Sequence, residues 1–142
     1  MTGKILHSDY NPETGVSTVT KTNKWGTVTA TSSLHPDDAD IANQWDGCAF
    51  AEYKADMKLL KKKIRANQHE LNGMMNLYQN LAQNVKVDDP TMLRIQRQID
   101  IKGRDITNMQ EQLYQMKKAF PQMAEKALND KRAFRNKINN QE

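Results

Sequence analysis

The sequence predicts an α+β fold: a small N-terminal antiparallel β-meander followed by a long antiparallel helical hairpin of coiled-coil type. Three observations carry this. Residues 4–32 alternate in hydrophobicity and are rich in Thr and Val. Residues from about 48 onward place apolar side chains three and four apart. Between them, from Trp25 to Glu52, the period changes from two to about 3.6 residues, so a sheet hands over to helices. Residues 1–34 are read as the meander and 35–142 as the hairpin, together forming one domain.

Lys4 to Tyr10 reads as a first strand, and Asn11-Pro12-Glu13-Thr14-Gly15 as a turn in which Gly15 takes positive φ. Val16 to Thr22 is the second strand and Trp25 to Ser32 the third, with Val28 and Ala30 on one face and Thr27 and Thr29 on the other. Three such strands cannot bury enough surface alone, so the sheet must lean on the helices or pair an edge with another chain.

Pro36 and the aspartates after it suit a helix start, with Ser33 as its cap. The pattern gives a short helix over 37–45, an interruption near Asp46-Gly47, and a long helix over 48–84. The seam of that helix is Phe50, Tyr53, Met57, Leu60, Ile64, Asn67, Leu71, Met74, Tyr78 and Leu81. Its one polar member, Asn67, is the type of residue that sets register in a heptad core. Val85 to Pro90 reverses the chain, and Asp89-Pro90-Thr91 signals a new helix. The second seam runs through Met92, Ile95, Ile99, Lys102, Ile106, Met109, Leu113, Met116, Phe120, Met123 and Ala127, with Pro121 expected to kink or break the helix. An apex near Val87 would set Gly73 opposite Gly103, making a notch flanked by Asn72, Lys102 and Arg104.

At 37% hydrophobic residues and a mean hydropathy of −0.86, the chain is too polar for a thick core and too periodic to be disordered. Long helices that bury one stripe usually gain further burial from a second copy, so a homo-oligomer, dimer or higher, is expected. The net charge of +4 is mild and uneven. Acidic residues gather over 37–56 and basic ones over 117–137, too weak a bias for a nucleic-acid binder. The lone Cys48 excludes an internal disulfide and fits a reducing compartment. There is no apolar run of membrane-spanning length and no signal-peptide core, so neither membrane attachment nor export is expected.

Catalysis finds little support. His7, His35 and His69 are scattered, and neither metal-ligand spacing nor a glycine-rich phosphate loop occurs, so no enzyme activity, metal or cofactor is expected. The chain does hold groups suited to anionic, ring-containing ligands: aromatic faces for stacking and arginine forks for phosphate. Tyr53, Tyr78 and Phe120 lie in the seams, where core packing is the commoner role. Trp25, at a turn and beside Gly26, is a better ligand candidate. Arg132 and Arg135, flanking Phe134 and three apart, share a helix face. The candidate ligand-binding residues are therefore Trp25, Arg65, Tyr78, Arg132 and Arg135.

The succession Asp9-Tyr10-Asn11-Pro12-Glu13-Thr14-Gly15, Trp25-Gly26, Thr29-Ala30-Thr31, Leu34-His35-Pro36-Asp37-Asp38, Gly47-Cys48 and Ala51-Glu52 resembles small phage-encoded proteins, in particular the anti-Thoeris sponge family. The likeness covers most of the chain in layout and specific residues over 9–52. It implies an N-terminal antiparallel sheet followed by two long helices. It also implies a non-enzymatic protein of the infected bacterial host's cytoplasm that sequesters cyclic ADP-ribose isomers. Some members also hold cyclic oligonucleotides at separate sites, and pockets lie at interfaces of homodimers that can assemble further. Of the candidate residues, only Trp25 carries over from the resemblance; the other four rest on physical grounds. The alternative is a phage structural or scaffolding protein that assembles through its helices.

Overall fold

The computed structural model describes residues 3–33 and 44–140. Their order is β1 (Lys4–Asn11), β2 (Val16–Asn23), β3 (Gly26–Ser33), α1 (Gln44–Ala82) and α2 (Pro90–Asn140). The expected α+β architecture, a three-stranded antiparallel sheet followed by two long helices, is present. The chain divides into two compact units: Met1–Leu59 with Gln115–Glu142, and Leu60–Tyr114. This division crosses both helices.

In the first unit the strands lie in the order β1-β2-β3. The β2–β3 ladder is regular from Val16 opposite Ser33 to Asn23 opposite Gly26. The β1–β2 ladder slips between Ile5 and His7, which leaves Leu6 as an extra, unpaired residue. Asn11 closes the first turn: its Oδ1 accepts from the Glu13 and Thr14 amides, and Gly15, at φ 71°, donates its amide to the Asn11 carbonyl. Asn23 does the same at the second turn by accepting from the Trp25 amide.

Alternation gives the sheet two distinct faces. Ser17, Val19 and Lys21 of β2, with Val28, Ala30 and Ser32 of β3, are buried. The opposite face carries threonines that pair across strands, Thr20 with Thr29 at 2.9 Å and Thr22 with Thr27 at 2.8 Å. Helix α1 contributes Ala55 and Leu59 to a core with Val28 and Ala30. Gly47, Ala51, Ala55 and Leu59 recur every fourth residue and are all buried, so one stripe of α1 is small at its start.

That stripe explains Gly47. The expected interruption at Asp46-Gly47 does not occur, because α1 runs continuously from Gln44. A Cβ at position 47 would overlap Ser17 Oγ, so the glycine serves close approach of helix to strand. The expected short helix over 37–45 and its signals at Pro36, Asp37 and Asp38 lie largely outside the described residues; Gln44 and Trp45 belong to α1. Ser33 ends β3.

The seam of α1 is correct throughout: none of its ten predicted members is exposed. In the first unit, Phe120 stacks on Tyr53 with centroids 5.5 Å apart and meets Phe50 edge-on at 6.0 Å. Tyr53 also donates its hydroxyl to the Met116 carbonyl at 3.1 Å. Of the kink or break expected at Pro121, a break does not occur: α2 is continuous through it. The missing donor is tolerated where the preceding turn is anchored by these aromatic contacts. Met123 leaves the seam and is 46% exposed.

In the second unit Lys102 Nζ donates to Asn67 Oδ1 at 3.0 Å and to Glu70 Oε2 at 2.7 Å, so the polar members of the two seams meet. Asn67 Nδ2 in turn donates to the Lys63 carbonyl. Asp89 caps α2 as predicted, accepting from the Thr91 amide at 2.9 Å with Pro90 at the first helical position. A Cβ built at Gly73 or at Gly103 meets nothing within 4 Å, so the backbones do not close on each other at either glycine.

Substituting Gly47→Ala should destabilise the protein by about 1–3 kcal/mol, through overpacking against Ser17. Ser17→Ala alone should cost little, since Ser17 Oγ is buried and makes no hydrogen bond. The double variant should regain most of the loss. Additive effects in urea unfolding would show that the two positions are not in contact.

Candidate functional site

Two polar constellations stand out, and they differ in what they leave open. The first is Lys21, placed by strand alternation on the helix-facing side of the sheet, with its side chain only 1% exposed. Its Nζ donates to Asp56 Oδ1 at 2.7 Å and to Glu52 Oε1 at 3.0 Å. Glu52 and Asp56 are one turn apart on α1, so both reach the same ammonium. Burial opposes the charge on Lys21, but hydrogen bonds to Asp56 and Glu52, with their attraction, outweigh it and raise its pKa above the ordinary 10.5. This cluster fastens sheet to helix. Two further lysines of α1 reach the outer strand: Lys58 Nζ donates to the Thr29 carbonyl at 2.6 Å and Lys54 Nζ to the Thr31 carbonyl at 3.1 Å.

The second constellation lies in the Leu60–Tyr114 unit. Here Leu71, Met75, Ile99, Asp100, Gly103, Arg104, Thr107 and Asn108 line an open groove of about 800 Å³. Half-buried Leu71 and Ile99 give it an apolar floor, and its rim carries the exposed Met75, Asp100, Arg104, Thr107 and Asn108. Nothing lies within 4 Å of a Cβ built at Gly103, so the missing side chain leaves room beside the floor. Arg104 supplies planar donors for an anion, and Asp100 and Asn108 supply an acceptor and an amide that can read a ring edge.

The residues chosen from sequence are distributed differently. Trp25 stands in the two-residue turn between β2 and β3, as predicted, and is half-buried. Lys24 Nζ lies 4.3 Å from its ring centroid, so a cation already covers one face. Arg65 is exposed on α1, whereas Tyr78 is a half-buried seam residue. They are thirteen residues apart, about 20 Å along the axis and on different faces, so one protomer does not bring them to one ligand. Arg132 and Arg135 fall on α2, but their side chains lie outside the described residues. Tyr53 and Phe120 are packing residues, as the seam suggested.

Arg104 and Gly103 were visible in the sequence as part of a notch. Their neighbours Leu71, Met75 and Ile99 were not, because which residues face each other across two helices does not follow from spacing within either one. Lys21 gave no sequence signal beyond its place in an alternating strand. Cys48 is half-buried and accepts a hydrogen bond from Ser8 at 3.3 Å. Among the described residues no group of three or more His, Cys, Asp or Glu side chains is placed to hold a metal ion. No helix of the described residues is long and apolar enough to cross a membrane. Comparison with protein-family models, curated proteins and solved structures finds no match to this chain.

Lys21→Met should lower stability at neutral pH by about 3 kcal/mol, the low end for breaking a buried pair, since Glu52 is 41% exposed. A raised lysine pKa stabilises fully below the unfolded value and is lost as pH rises through the folded one. The advantage of the wild type over Lys21→Met should therefore persist below pH 10.5 and shrink above it. An unchanged denaturation midpoint in Lys21→Met would contradict this role.

Proposed function

We propose that this protein binds and holds a cyclic nucleotide immune signal, a cyclic ADP-ribose isomer or a related cyclic nucleotide, without cleaving it. The observation that carries the reading is the groove around Gly103 and Arg104. Its apolar floor suits a nucleobase, its rim offers an arginine for a pyrophosphate, and its volume lies within the usual roughly 300–1,000 Å³ of ligand sites. Sequestration needs tight binding and no chemistry, which charge-assisted hydrogen bonds in an enclosed site supply. The groove is shallow and largely open to solvent, so an enclosed site would need a second copy to complete it. The resemblance to the anti-Thoeris sponges adds the setting, a phage protein acting in the cytoplasm of the infected bacterium. The Trp25 turn would contribute through the partner copy or at a separate site.

A second reading, a structural or scaffolding protein, is favoured by the apolar residues left exposed on the helices: Met75, Leu77, Leu93, Ile101 and Tyr114. It predicts ordered assembly and no nucleotide-sized ligand.

Incubation of the full chain with a cyclic ADP-ribose isomer, followed by filtration, should deplete the free ligand, and heating should return it intact. Arg104→Ala should weaken binding about 10- to 100-fold, the worth of a charged hydrogen bond. No depletion, or recovery of a linear product alone, would refute sequestration.

A further inference from the structure

We infer that β1 is a self-pairing edge: two copies of the chain join antiparallel through β1, extending each three-stranded sheet into one sheet of six strands. The sheet has two edges, and they are treated differently. At β3, two lysines of α1 occupy strand carbonyls, Lys58 at Thr29 and Lys54 at Thr31, which blocks addition of another strand. At β1, seven of the eight residues are exposed, including Ile5 at 44% and Leu6 at 56%. Among the described residues, no strand pairs with the outer edge of β1. An eight-residue open edge with exposed aliphatic side chains is a template for strand addition.

The bulge selects the occupant. The extra residue at Leu6 shifts the alternation, so Lys4 and Asp9, five apart, both lie on the face of β2's Thr22 and Thr18. Ile5 and Ser8 lie on the opposite, helix-bearing face, across from Lys21 and Val19. A two-fold axis between Leu6 and His7 then sets Lys4 of each copy opposite Asp9 of the other, and Ile5 opposite Ser8. Faces match along the whole overlap, and two opposite-charge pairs flank the axis. A register centred on Asp9 would instead oppose two aspartates. The segment is complementary to itself, so a second copy is the occupant. This interface does not depend on the ligand reading.

Light scattering and sedimentation of the full chain should show a concentration-dependent dimer or a multiple of one. Asp9→Lys should weaken it about tenfold or more, and adding Lys4→Asp should restore it to within about threefold. In a Cys48→Ser background, Lys4→Cys mixed with Asp9→Cys should give a disulfide-linked dimer under mild oxidation. A monomer throughout, or an association indifferent to Asp9→Lys, would overturn the inference. So would failure of the mixed pair to cross-link.

Discussion

The ammonium of Lys21 between Asp56 and Glu52 is the contact on which the first unit depends. A three-stranded meander has little apolar surface, and this one supplies mainly Val19, Val28 and Ala30. Burying a lysine at its centre is costly unless two carboxylates meet it, and only one rotational setting of α1 provides them. The interaction therefore acts as a register device. Once Glu52 and Asp56 face the sheet, the stripe Gly47, Ala51, Ala55 and Leu59 lies on the strands, and Phe50 and Tyr53 turn toward α2. Lys54 and Lys58 then reach the outer carbonyls of β3. One ion cluster thus orders both faces of the helix.

The second unit solves a similar problem with less burial. Its two helices share one seam, with Met92, Ile106 and Met109 buried, and the Asn67–Lys102–Glu70 contacts fix which turn faces which. A helix pair has one shared interface and two outer surfaces, so much apolar surface stays in water. The groove beside Gly103 follows from this: a missing side chain next to half-buried Leu71 and Ile99, bordered by polar rim residues.

Periodicity made much of this legible. The strands, the α1 seam, the α2 seam as far as Phe120, the Asn11–Gly15 turn and the Asp89 cap follow from alternation, 3-4 spacing and turn chemistry, all of which act within a few residues. What escaped was non-local. Lys21 looks like any outward residue until the helix above it is placed, and Gly47 looks like a helix breaker until Ser17 is beneath it. Pro121 looks like a break until Phe120 is seen held by Phe50 and Tyr53. What lines the space beside Gly103 also escaped, because the facing of two helices is fixed by contacts such as Lys102 with Asn67 and Glu70. Among candidate ligand residues, Trp25 was placed correctly in its turn, while Arg65 and Tyr78 diverge along one helix.

The proposed function is stoichiometric capture of a cyclic nucleotide without turnover. Isothermal titration calorimetry of the full chain with a cyclic ADP-ribose isomer tests it most directly. Capture without turnover should give a saturable heat at a fixed ratio of ligand to chain, with Kd below about 1 μM and a flat baseline after each injection. Absence of heat at high protein concentration, or a sustained heat flow that decays as ligand is consumed, would contradict it.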